Sequence, residues 1–194
     1  MSMARRNGRY TVADHATWPE DERWELIGGE AHMMTPAPSG RHQQISVRLT
    51  SRLDVALENA PCVLYHAPTD LLFEATEETD TVVEPDLFVI CGPHKSNGQV
   101  IGIPVLVIEI LSPSTARRDK VVKRALYERV GVKEYWLVDP SNEIVDIMVH
   151  DGARFGPLQS YGQGDIIEST MLPGIAIEVK SVFAQKKLES DVDS

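Results

Sequence analysis

A mixed α/β fold, a sheet flanked by helices, is what this sequence predicts, on three observations. Pro104–Leu111 reads PVLVIEIL, an almost unbroken apolar run of the kind that forms a central strand covered on both faces. A helical stretch follows at about Ser114–Val130, stopped by Gly131, and the apolar run EYWLV at Glu134–Val138 comes next. Strand, helix and strand in this order make a βαβ-like unit. On either side, short apolar runs separated by Gly and Pro supply further strands.

WELI and EAHMM, between Trp24 and Met34, read as two strands, and the Gly28-Gly29 pair between them is a hairpin signal. Ser39 can cap a helix running to about Asn59, because Ile45, Leu49, Leu53 and Leu57 recur every four residues. Strands are predicted at about Cys62–His66 and Thr69–Phe73, followed by an acidic loop at Glu74–Asp80. Val82–Ile90 reads as a strand interrupted by Pro85, which belongs at an edge, a bulge or a strand start. Glu143–Val179 reads as short strands, with a short helix near Phe183 at the end. Residues 1–9 read as a flexible N-terminal segment, 10–183 as one domain, and 184–194 as a flexible acidic tail.

Composition sets limits on function. With 194 residues, 42% hydrophobic and 25% charged, the chain is an ordinary globule long enough to bury a core without staples. Cys62 and Cys91 lack metal-ligand spacing and sit in apolar runs, so they read as two buried thiols in a reducing compartment rather than a disulfide. No apolar run approaches the roughly 18 residues of a membrane span, and the basic N-terminus has no apolar stretch after it. A cytoplasmic protein is expected. The net charge of −10 argues against long-range attraction to nucleic acid. Positive charge is local instead: Arg117, Arg118, Lys120, Lys123 and Arg124 lie within eight residues, and Arg5, Arg6 and Arg9 form a second cluster. On charge alone, a solvated helix face is the simpler explanation of the first run.

The chemistry begins at Glu109, which stands inside the most apolar strand. A buried carboxylate must be protonated, paired or bound to a cation. Alternation places Glu109 on the face of Val107 and Leu111, near the strand's C-terminal end, where ligand sites of α/β sheets gather. A structural acid bonded to loop amides or an arginine is the plain alternative. Asp86 is a second acid within an apolar strand, and it either caps a bulge made by Pro85 or is kept for function. Were the two strands neighbours, the carboxylates would converge, and a divalent cation would relieve their repulsion. On the following helix, Val121, Val122, Ala125 and Leu126 make one apolar face, with Asp119 and Lys123 at its border and Lys120 and Arg124 further out. Lys123 is therefore placed to reach back toward the strand end. An ordinary i,i+4 ion pair with Asp119 is the competing reading.

PDLFVI (Pro85–Ile90), VIEILSPST (Val107–Thr115), RDKVVKRALYERVGVKEYWLVDP (Arg118–Pro140) and WELIGGE (Trp24–Glu30) resemble a bacterial family of small, single-domain restriction-endonuclease-like proteins within the PD-(D/E)XK nuclease superfamily. The resemblance spans roughly residues 10–183. It implies a restriction-endonuclease-like core, a mixed sheet of about four main strands between helices with additional strands. It also implies an Mg²⁺- or Mn²⁺-dependent endonuclease acting on DNA. Asp86 is similar to the metal-binding acid of the first motif and Glu109 to that of the second, with the Ile110 carbonyl as a further metal ligand. The wider superfamily has a lysine two positions after the second acid. Here that position is Leu111, and the family resembled carries the lysine on the next helix, at Lys123, with Asp119 one turn before it. His42 matches a recurring family position. Arg117, Arg118 and Lys120 are expected to contact backbone phosphates, which position a strand without reading its sequence. A homodimer is implied as well. Two other readings stay open: a catalytically inactive nuclease-fold module binding nucleic acid or protein, and an Mg²⁺-dependent phosphoesterase acting on small nucleotides.

Overall fold

The computed structural model describes residues 9–19, 22–34 and 38–185. Of the expected terminal segments, only Arg9, Ala184 and Gln185 are among them, and Arg5, Arg6 and the acidic run from Glu189 lie outside.

The elements run α1 (Val12–His15), β1 (Trp24–Ile27), β2 (Glu30–Met33), α2 (Gly40–Leu57), β3 (Cys62–His66), β4 (Leu71–Leu72), β5 (Leu87–Cys91), β6 (Lys95–Asn97), β7 (Gln99–Ile101) and β8 (Leu106–Ile110). A π-helical turn at Arg118–Lys123 leads into α3 (Arg124–Val130). Then come β9 (Glu134–Asp139), β10 (Ile144–Val149), β11 (Gln159–Tyr161), β12 (Ile166–Glu168), β13 (Ala176–Glu178) and α4 (Val179–Phe183). The main sheet has six strands in the order β11-β10-β9-β8-β5-β3. Only β8 and β9 are parallel, so the βαβ unit read from Pro104 to Val138 is present and the rest of the sheet is antiparallel.

Two apolar layers cover the sheet. On one face, α2 presents Ile45, Leu49, Leu53 and Leu57, the four residues of its four-residue repeat, to Leu87, Leu106, Ile108 and Trp136. Ser39 caps α2, its side chain accepting from the His42 amide. On the other face, Phe88, Val107, Leu126, Tyr127, Tyr135 and Leu137 pack together. The odd-numbered residues of β8 point to this second face, so Glu109 shares it with Val107, as alternation requires. The Gly28-Gly29 hairpin loop has positive φ at both residues, 57° and 78°, the signature of the turn that matches strand twist.

Several expectations need correction. The mixed sheet with additional strands is as expected, at six strands with three smaller sheets beside it, and the differences lie in the elements. The run Val82–Ile90 is not one strand. Val82 and Val83 bridge to Leu26 and Leu71, and β5 begins only after Pro85 and Asp86. Thr69–Phe73 shortens to β4, and the strands β6 and β7 and the single-turn α1 have no counterpart in the sequence reading. Cys62 and Cys91 are not free thiols but a disulfide. They lie far apart in sequence, but the β3–β5 register sets them directly opposite each other. They occupy a non-hydrogen-bonded position, next to the Gly92 amide bonded to the Pro61 carbonyl. At such positions side chains approach most closely.

Leu49 is fully buried between α2 and the sheet. Leu49→Ala is expected to destabilise the fold by about 2–5 kcal/mol, read as a lower urea midpoint at unchanged slope.

Candidate active site

Glu109 lies near the end of β8 and is 4% exposed. Its Oε1 accepts from Lys123 Nζ at 2.9 Å and from the Tyr127 hydroxyl at 2.8 Å. The same ammonium lies 2.7 Å from Glu25 Oε1 and 4.0 Å from Asp119 Oδ1. One buried cation thus serves three buried carboxylates. Burial opposes the charge on Lys123, but Glu109, Glu25 and Asp119 outweigh it and hold the amine above its ordinary value. Glu109 is pushed well up, first by burial and then by Asp119, Asp86 and Glu25, against the pull of Lys123. Asp119 is also raised, mainly by burial. A single ammonium cannot neutralise all three acids, so the acids compete for it.

The π-turn explains how Lys123 reaches this point. The Arg124 amide donates to the Asp119 carbonyl five residues back, which widens the winding beyond that of an α-helix. Ordinary α-helical spacing would turn Val121, Val122, Ala125 and Leu126 inward. Instead Val121 is 56% exposed, Ala125 is exposed, and Asp119 and Lys123 are buried. The turn rotates the border residues of the expected face into its centre. The Tyr135 hydroxyl, donating to the Asp119 carbonyl at 3.1 Å, holds this turn to β9.

Asp86 immediately precedes β5. In the β5–β8 ladder Leu87 faces Ile108, so one step further the register sets Asp86 opposite Glu109 on the same face. Its Oδ2 accepts from the Ile110 amide at 2.7 Å and contacts His42 Nε2 at 3.2 Å. Burial disfavours charge on His42, but the Asp86 carboxylate and the Ile110 carbonyl together raise it above the usual histidine value. The first turn of α2 therefore closes over the two strand ends.

Glu25 was not singled out in the sequence. It is 1% exposed, joins Lys123 to Arg118 (Nη1 to Oε2, 3.3 Å), and accepts from the Glu84 amide at 3.0 Å. The signal was the one that exposed Glu109: an acid flanked by Trp24, Leu26 and Ile27 in a strand. Tyr127 was also missed, because a tyrosine among apolar helix residues reads as core.

Asp86, Glu109, Ile110, Asp119, Lys123, Arg118, His42 and Glu25 all line one open cleft of about 1000 Å³. Arg117 and Lys120 are exposed outside it. Arg118 lines the cleft but is engaged by Glu25 and by the Met33 carbonyl. The other cationic side chains of the lining are paired too: Arg23 with Glu84, Arg41 with Glu143, and Lys123 as above. Leu111, two positions after Glu109, is buried in the apolar layer.

The donor set fits a hard divalent cation. Glu25, Glu109, Asp119 and Asp86 outnumber Lys123 and Arg118 by four to two, with His42 against Asp86. Among the described residues, Asp86 Oδ1 and Glu109 Oε2 carry no hydrogen bond, whereas the other oxygen of each is engaged. Among the described residues, no three His, Cys, Asp or Glu side chains form a closed metal cage. Two carboxylates completed by water and phosphate oxygens are the arrangement Mg²⁺ favours.

The family model of Uma2, described as "Putative restriction endonuclease", matches residues 12–180. The chain belongs to the Uma2 family. An uncharacterized protein of Synechocystis sp. is 30% identical to this Uma2 chain over 174 residues, covering 88% of it and 89% of the relative. The crystal structure of a "putative nuclease belonging to DUF820" from Anabaena variabilis ATCC 29413 matches it with a TM-score of 0.72 at 19% identity. That match covers 90% of this chain and 97% of the other, and shows a shared α/β fold. Among the described residues, no helix of the Uma2 chain is long and apolar enough to cross a membrane.

Two measurements probe the cluster. Lys123→Met leaves three buried acids without their cation, and is expected to cost about 3–5 kcal/mol in metal-free denaturant unfolding. Glu109 has a folded pKa above its ordinary 4.5, so the fold loses stability as pH rises from that value through the raised one. Glu109→Gln cannot lose a proton. In metal-free thermal unfolding, the stability of Glu109→Gln relative to the parent is expected to improve as pH rises, and a pH-independent difference would contradict the raised value.

Proposed function

We propose that this Uma2 protein is an Mg²⁺- or Mn²⁺-dependent endonuclease of the PD-(D/E)XK type, hydrolysing phosphodiester bonds of DNA. The observation that carries this reading is the register that sets Asp86 opposite Glu109, each with an oxygen left over, beside a buried lysine. Asp86, Glu109 and the Ile110 carbonyl would hold the cation, which supplies polarisation of the scissile phosphate and a lowered pKa for a bound water.

The remaining roles belong to the chain's own side chains. Lys123 orients the attacking water and offsets negative charge that builds on the phosphate oxygens. Asp119 and Glu25 hold the ammonium in place from two sides, and Tyr127 fixes the Glu109 carboxylate from a third. His42 steadies Asp86. Two copies related by a two-fold axis would cut both strands of a duplex symmetrically, which makes a homodimer the natural working form.

One observation favours a second reading. Among the described residues, every Arg and Lys of the cleft lining is paired, so the cleft by itself suits a small nucleotide with few phosphates. A phosphoesterase of that kind would turn over dinucleotides and leave plasmid intact.

The test combines calorimetry with cleavage. The parent is expected to bind Mg²⁺ or Mn²⁺ and to nick plasmid DNA, whereas Asp86→Asn and Glu109→Gln lose both. Lys123→Arg should keep metal binding while cleavage falls by about a hundredfold, the size of a lost electrostatic contribution to the transition state. If the parent binds no divalent cation with or without DNA, the nuclease reading fails and the acids are structural.

A further inference from the structure

We infer that the exposed outer face of the π-turn, carrying Arg117 and Lys120, is where a polynucleotide backbone leaves the cleft, so that affinity for nucleic acid comes from this strip rather than from the cleft's own cations. The inference rests on the nuclease reading and narrows its substrate to a polymer longer than the cleft.

Three observations lead to it. First, among the described residues the cleft lining has no Arg or Lys without an ion pair. Arg23, Arg41, Arg118 and Lys123 are each committed to a carboxylate, and Arg118 and Arg41 also donate to the Met33 and Phe183 carbonyls. A phosphate entering there would have to break a buried or half-buried ion pair for each cation it engaged, and partner removal from such pairs is costly. Second, Arg117 and Lys120 are exposed and have no ion pair among the described residues. They are three residues apart on one turn, and both are exposed while Asp119 and Lys123 of the same turn are buried. Third, the strip begins at the cleft. Arg117 sits between Thr115 and Arg118, which both line it. Lys120 acts electrostatically on Asp139, the last residue of β9, and the next two residues, Pro140 and Ser141, form the cleft rim.

The π-turn creates this division. It turns Asp119 and Lys123 inward to the acids and leaves Arg117 and Lys120 outward. One short segment thus supplies the buried charge of the site and the exposed charge beside it. On a chain of net charge −10, two exposed cations beside the acidic cleft, with no ion pair among the described residues, are complementary to a polyanion that continues past it. Such contacts carry no sequence information, and they make binding salt-dependent.

The test is fluorescence anisotropy with Ca²⁺ as a non-turnover cation. It uses a labelled DNA duplex several helical turns long and a labelled oligonucleotide short enough to lie within the cleft. The parent is expected to bind the duplex much more tightly than the oligonucleotide. Arg117→Ala with Lys120→Ala should make the slope of log affinity against log salt shallower by about 1.8 on the duplex, and weaken binding in low salt by roughly tenfold or more. Arg129→Ala with Lys133→Ala removes the same charge from exposed residues near the opposite end of β9, and should change neither. Equal losses in the two double variants would mean that net charge and not the strip is at work, and would overturn the inference. So would an unchanged slope in the first variant, or equal affinity of the parent for the two ligands. Those three outcomes leave the nuclease reading standing. A parent that binds Mg²⁺ but no DNA of any length overturns both, and points to a small-nucleotide substrate.

Discussion

Everything at this site depends on one buried ammonium. Lys123 is shared among Glu109, Glu25 and Asp119, which come from a central strand, a separate hairpin and its own turn. Three acids at this depth would repel one another without the lysine, which joins Glu25 of the hairpin β1–β2 to Glu109 of β8, alongside the Arg118 pair and the Glu84 amide that also hold Glu25. The same contact that completes the site also docks an outlying element onto the sheet. Its electrostatics are unfinished, because one positive charge does not balance three negative ones, and Asp86 adds a fourth nearby. Burial first, and then the neighbouring Asp119, Asp86 and Glu25, hold Glu109 toward its protonated form, and the surplus of carboxylates is what a divalent cation would offset.

Much of this was legible in the sequence, for identifiable reasons. The four-residue repeat in α2 and its Ser39 cap are strong periodic signals, and the structure follows them. The apolar run around Glu109 can only be a covered strand, so its single acid stands out. The resemblance pointed to Lys123, and helical spacing favoured it over Lys120. The helix geometry itself was different: spacing put Lys123 at the border of an apolar face, whereas the π-turn puts it at the centre of the buried one.

The rest was hidden for physical reasons too. Nothing local in a sequence marks a π-turn, since the choice between four and five residues per hydrogen bond is made by tertiary contacts such as Tyr135 on the Asp119 carbonyl. Glu25 sits in a short hairpin strand whose outer partner, β2, is partly exposed, so its burial depends on the packing of the sequence-distant π-turn, through Arg118 and Lys123. Cys62 and Cys91 meet only because β3 pairs with β5 in one register, and spacing along the chain cannot show that. The run of basic residues read as one patch splits into two populations facing opposite ways.

The π-turn also makes the site a matter of counting. Between Arg118 and Lys123 the identities at the outward positions matter little to the buried cluster, but their number matters greatly. A π-turn takes five residues where an α-helix takes four, so removing one residue between Asp119 and Lys123 would let an α-helical turn close in its place, with α3 kept near its phase. Asp119 and Lys123 would then stand three residues apart rather than four, and the ammonium would no longer sit where the acids converge. In this stretch, the length of the chain is under tighter constraint than its letters, and a one-residue gap is a more drastic change than most substitutions.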